Sequence, residues 1–63
     1  MTEKLTNAIN EILNKLDESL SVDDTHSGVM DVLEWDVDYQ WSDEYGEHEE
    51  FSNAVYDFIE SKK

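Results

Sequence analysis

The chain has 63 residues with 17 Asp plus Glu against 4 Lys and no arginine, a formal net charge of −13, and neither cysteine nor proline. That length holds one small domain, residues 1–63, and the missing cysteine removes thiolate metal sites, thiol catalysis and a disulfide framework. The charge excludes direct binding to nucleic acid or to an anionic membrane as a main activity, because phosphate binders need clustered Lys and Arg.

Residues 3 to 20 place Leu5, Ala8, Ile9, Ile12, Leu13, Leu16 and Leu20 at steps of three and four, the stripe of an amphipathic helix. Thr2 is its N-cap. The opposite face, with Asn7, Asn10, Glu11, Asn14 and Lys15, is polar and nearly neutral, so this helix reads as scaffold. Ser21 to Gly28 reads as a loop. From Val29 to Trp41 the odd positions Val29, Leu33, Trp35, Val37, Tyr39 and Trp41 are apolar or aromatic, while Glu34, Asp36, Asp38 and Gln40 alternate with them. Period two with β-branched and aromatic residues predicts strand, as two short strands over 29 to 34 and 37 to 42. The alternative is one long strand pairing with its copy in a homodimer, since an unpaired edge strand is unstable alone. A helical reading, with Val29, Leu33, Val37 and Trp41 at i, i+4, ranks behind both because it strands Val32, Trp35 and Tyr39 on other faces.

Ser42 to Glu50 is a polar connection, and Phe51, Ala54, Val55, Phe58 and Ile59 form a second helical stripe from about Glu47 to Ser61. Its Glu-rich start and Lys-rich end match the helix dipole. The predicted fold class is α+β: an α-β-β-α domain with a short antiparallel sheet against two amphipathic helices. The alternatives are α-β-α dimerising through its strand and, last, all-α. Trp35, Tyr39 and Trp41 share the parity of Leu33 and Val37, which assigns them to the core first; an exposed tryptophan amid acids would be an interface anchor.

The acid is regional. Residues 1 to 16 hold Glu3 and Glu11 against Lys4 and Lys15, the tail adds Lys62 and Lys63, and Asp17 to Glu60 contains fifteen acids and no Lys or Arg. Solubility needs a net charge of only about 2 to 8 in a small domain, so the excess costs stability through self-repulsion and points to a functional surface. On the predicted strand Glu34, Asp36 and Asp38 stand about 6.7 Å apart in an outward row. The row continues into Asp43, Glu44, Glu47, Glu49 and Glu50, and together these eight residues are the predicted partner-binding site.

Other chemistry is thin. Two histidines, no cysteine and serines without a base at recognisable spacing argue against an enzyme, and a carboxylate pair of glycosidase type needs a cleft that 63 residues hardly provide. Asp36-x-Asp38-x-Gln40 with Glu47 copies positions one, three, five and twelve of a calcium loop, but Trp41 occupies the turn position that requires glycine. His26 and His48 read as surface or boundary residues. No metal and no cofactor is predicted. The chain has no apolar run of membrane-spanning length and no signal-peptide pattern at its start, which predicts a cytoplasmic protein.

In size, charge and layout the chain resembles the small acidic inhibitors made by bacteriophages and mobile elements: anti-restriction proteins, anti-CRISPR proteins and inhibitors of uracil-DNA glycosylase. The resemblance covers the whole chain as composition and rests on no alignable motif. Glu18-Ser19-Leu20 is similar to the short segment that glycosylase inhibitors insert into their target, though here it ends a helical stripe. The resemblance implies a DNA mimic acting in a host cytoplasm to evade defence, with a basic DNA- or RNA-binding protein as partner. An antitoxin or immunity protein that neutralises a basic toxin, or a dimeric acidic adaptor domain, would share the same electrostatics.

Overall fold

The computed structural model describes residues 2–36 and 39–63. They form three α-helices, α1 (Glu3–Leu13), α2 (Val22–Glu34) and α3 (His48–Lys62), with one 3₁₀ turn at Trp41–Asp43 before α3. No strand occurs among the described residues.

α1 starts where its cap predicts: Thr2 is extended, and its Oγ1 accepts the N–H of Leu5 at 3.3 Å. It ends at Leu13, short of the predicted Leu20. The chain leaves the helix through turn bonds from Lys15 N–H to Ile12 O and from Leu16 N–H to Leu13 O, and Asp17 Oδ1 then accepts the N–H of Ser19. This Asx turn competes with helical bonding. Leu16 still packs against the core, from a turn.

α2 corrects the α+β prediction and both of its sheet arrangements. The stretch 21–28, expected as a loop, is the helix start: Ser21 Oγ accepts the N–H of Asp24 at 3.2 Å, and Asp23 and Asp24 occupy the first turn. The stretch 29–34, expected as a strand, continues it with Thr25, Val29 and Leu33 buried at i, i+4 and Met30 beside them. Of the second expected strand, 37 and 38 lie outside the described residues, and 41–43 is the 3₁₀ turn. A helix satisfies its backbone groups within one segment, whereas two isolated strands leave two edges open.

The core is built from one stripe per helix: Leu5 and Ile9; Val29, Met30 and Leu33; Phe51, Val55 and Ile59. Tyr39, from the α2–α3 connection, completes it. Each such side chain stabilises the fold by about 1.5–3 kcal/mol on full burial. Phe51 is fully buried and collects the rings of Trp41, Tyr45, Tyr39 and His48 at centroid separations of 5.6, 5.7, 6.2 and 6.2 Å. Among the described residues no helix is long and apolar enough to cross a membrane.

Candidate functional site: an acidic bundle end

Because the helices run up, down and up, the N-termini of α1 and α3 meet the C-terminus of α2 at one end of the bundle. Two side-chain contacts fix that meeting. The Nε2–H of His48 donates to Glu34 Oε1, joining the start of α3 to the end of α2. Thr2 Oγ1 donates to Glu44 Oε1 at 2.8 Å, with Oε2 at 3.0 Å, joining α1 to the connection before α3.

This end gathers the predicted site residues Glu34, Asp36, Asp43, Glu44, Glu47, Glu49 and Glu50, while Asp38 lies outside the described residues. They are not the strand row the sequence predicted. Glu34 closes α2, Asp43 sits in the 3₁₀ turn, Glu47 is the N-cap residue of α3, and Glu49 and Glu50 fill its first turn. Asp31, one turn before Trp35 on α2, joins them; it shares the odd parity of Val29 and Leu33, which a strand would turn toward the core and which the helix leaves exposed at Asp31.

The end is held together by more than one kind of interaction. Glu49 and Glu50 face the partial positive charge of the α3 N-terminus, as Glu3 does on α1. Glu34 stands at the negative C-terminal end of α2, which has no basic residue in its last turn, so its cross-helix bond from His48 offsets an unfavourable position. Glu44 is structural as well as charged. Besides Thr2 it accepts the hydroxyl of Tyr39 at 3.3 Å. Burial of Tyr39, and then the adjacent Glu44 carboxylate, push its phenol well above the ordinary tyrosine range. Tyr45 is raised by burial and by Glu44 in the same way.

Along the α2–α3 seam two further polar ties accompany the Glu34 contact. Tyr56 hydrogen-bonds to Asp23, which raises its phenol, and His26 Nε2 lies 3.0 Å from Ser52 O and 3.2 Å from Ser52 Oγ. A carbonyl only accepts, so His26 Nε2 carries the proton and cannot take one from Ser52. The pair ties two helices and is not a nucleophile with its base. Among the described residues no three His, Asp or Glu side chains converge to hold a metal ion; the calcium-loop pattern falls partly on Asp38, outside them.

Three of the four lysines lie toward the opposite end. Lys15 follows α1, Lys62 closes α3 with its Nζ 5.3 Å from the Phe58 ring centre, and Lys63 Nζ donates to the carbonyls of Leu20 and Glu18 at 2.7 and 3.4 Å. An open groove of about 750 Å³ lies there, lined by Leu16, Leu20, Thr25 and Lys63 among others. At the acidic end only Lys4 is present, 5.7 Å from the Tyr39 ring centre. The sequence division into a neutral helix, an acidic stretch and a basic tail therefore becomes a division in space.

Among the described residues Trp35 is the large apolar side chain left most exposed by the packing. It is 84% exposed at the C-cap of α2, with Val32 48% exposed one turn back, while Tyr39 is 3% exposed and Trp41 half-buried. The core-first assignment of the three aromatics holds for Tyr39 and in part for Trp41, and Trp35 is the exposed tryptophan amid acids. No protein-family model, no curated protein and no solved structure matches the chain.

Proposed function

We propose that the protein is a non-enzymatic inhibitor that docks its acidic end in the nucleic-acid groove of a basic protein, with carboxylates in the place of phosphates. What supports the reading is charge density on a folded frame. Thirteen net negative charges on a molecule 32 Å in longest extent amount to one charge per about 2.5 Å. Duplex DNA carries one per ~1.7 Å of axis. The helices and the aromatic cluster around Phe51 hold these charges on a fixed scaffold, which a flexible acidic tail would not do. A groove that reads phosphate responds to charge and position, both of which carboxylates supply.

Glu34, Asp36, Asp43, Glu47, Glu49 and Glu50 are the proposed phosphate surrogates; Asp38 belongs with them by sequence. Glu44 contributes charge but also anchors Thr2 and Tyr39. The test is capture of a basic nucleic-acid-binding protein from a host extract at low salt, followed by a salt series and competition with duplex DNA. The expected result is a complex that weakens steeply with salt and is displaced by DNA. Affinity indifferent to salt would overturn the reading. A salt-sensitive complex that DNA does not displace would replace it with an immunity protein binding a basic toxin elsewhere on its surface.

A further inference from the structure

Resting on that reading, the structure assigns a specific role to the most exposed large apolar side chain among the described residues: we infer that Trp35, with Val32 beside it, is an anchor that receives an arginine side chain of the partner. The indole is 84% exposed, and Asp31 and Val32 are its helical neighbours at i−4 and i−3. Burying such a ring in the fold is worth kilocalories to a domain this small, so leaving it in water is unfavourable unless something covers it.

Charge complementarity selects what covers it. The α2 end around Trp35 carries Asp31 and Glu34, and no Lys or Arg occurs from Asp17 to Glu60. A second copy seated there would bring the same carboxylates and another net −13 into contact, within the ~8 Å over which physiological salt leaves charges unscreened. A cation is favoured instead. Tryptophan is the best aromatic face for one, and a guanidinium can stack on the indole while its N–H groups reach a flanking carboxylate such as that of Asp31. Three of the molecule's four lysines are engaged elsewhere, Lys4 over Tyr39, Lys62 over Phe58 and Lys63 on backbone carbonyls, and Lys15 follows α1 toward the opposite end of the bundle. Phosphate has no counterpart to an aromatic face. This contact would therefore give the protein an advantage over DNA for a groove lined by arginine, and a smaller one for a groove lined by lysine.

The experiment is calorimetric titration of the wild type, Trp35→Ala and Trp35→Phe with an octa-arginine and an octa-lysine peptide, at two salt concentrations, with helical circular dichroism as the check on folding. The wild type is expected to bind octa-arginine about 3- to 30-fold more tightly than octa-lysine. Trp35→Ala should reduce that preference to under about twofold, leaving octa-lysine binding and the helical signal unchanged, and Trp35→Phe should retain part of it. If both peptides bind salt-sensitively but Trp35→Ala keeps the arginine preference, or the wild type shows none, the anchor is overturned while the phosphate-surrogate reading stands. If neither peptide binds, or binding ignores salt, that reading fails and the anchor fails with it. If sedimentation shows the wild type to be a dimer that Trp35→Ala dissociates, the occupant is a second copy and the arginine assignment is overturned.

Discussion

The two ends of the bundle use the same helices and solve their electrostatics differently. At the lysine end, charges are matched locally: Lys63 reaches the carbonyls of Leu20 and Glu18, and the Ser19 N–H, with the Lys63 ammonium beyond it, holds the Asp17 carboxyl below the usual carboxylate range. At the acidic end, among the described residues, Lys4 and His48 are the basic side chains set against Asp31, Glu34, Asp36, Asp43, Glu44, Glu47, Glu49 and Glu50. What holds that end is the aromatic cluster beneath it, centred on Phe51, together with the Thr2 and Tyr39 contacts to Glu44. The fold therefore does not depend on balanced charge there, and apolar burial offsets a repulsion that the lysine end avoids.

The comparison breaks most directly at Phe51. Phe51→Ala should cost about 3–5 kcal/mol, against a total stability of about 3–9 kcal/mol for a domain of this length, so urea titration should show a much weakened cooperative transition or none. A loss below about 1 kcal/mol would mean that the surrounding rings do not support the acidic end. Next in size, Glu44→Ala should destabilise by about 1–2 kcal/mol by leaving two hydroxyls without their acceptor, although it removes a negative charge. Asp31→Asn, which removes a charge from the exposed α2 surface, should stay within about 0.5 kcal/mol. Equal effects from the two would show that Glu44 acts only as charge.

Improvement is expected away from the acidic end. Thr25 Oγ1 is buried with no hydrogen-bond partner, and valine has nearly the same shape, so Thr25→Val should stabilise by about 1 kcal/mol. Gly28 lies within α2, and a Cβ there would meet Leu16 Cδ1 at 3.5 Å, an ordinary contact. Gly28→Ala should therefore gain about 0.5–1 kcal/mol and raise Tm by several degrees. A drop in Tm for either variant would show that the packing beside Leu16 or around Thr25 is tighter than these contacts imply.

Legibility in the sequence followed the same division. α1 and α3 announce themselves by stripes at steps of three and four, and α3 begins and ends within one residue of its predicted range, at His48 and Lys62. α2 was hidden for two reasons. One position of its buried stripe, Thr25, is polar and so drops out of an apolar pattern, and the alternation from Val29 to Trp41 runs past the helix end into a connection where parity has no sheet to report. The signal that could have found it was Ser21-x-x-Asp24, a helix-start pattern directly before the run. The acidic residues were legible as a cluster because they are close in sequence. That Glu44 is a structural acceptor was not, since its partner Thr2 is 42 positions away.

The smallest effect at neutral pH is the one that isolates Tyr39 at the acidic end. Its phenol is raised in the folded state by burial and by Glu44, whereas the unfolded chain ionises its tyrosines near pH 10. A folded pKa above the unfolded one means that the folded state holds the proton longer, so this contribution is fully present below about pH 10 and is lost as pH rises beyond it. Thermal unfolding followed from pH 8 to 12 should show stability falling above pH 10, with Tyr39 responsible for at most about 1.4 kcal/mol per pH unit. Tyr39→Phe keeps the ring against Phe51 and removes the hydroxyl, so it should cost about 1 kcal/mol or less at pH 7 yet make the alkaline decline shallower. Tyr45 and Tyr56, raised as well, leave a residual slope. An unchanged decline in Tyr39→Phe would place the alkaline sensitivity at Tyr45 or Tyr56 and remove the buried phenol from the account of what holds the acidic end.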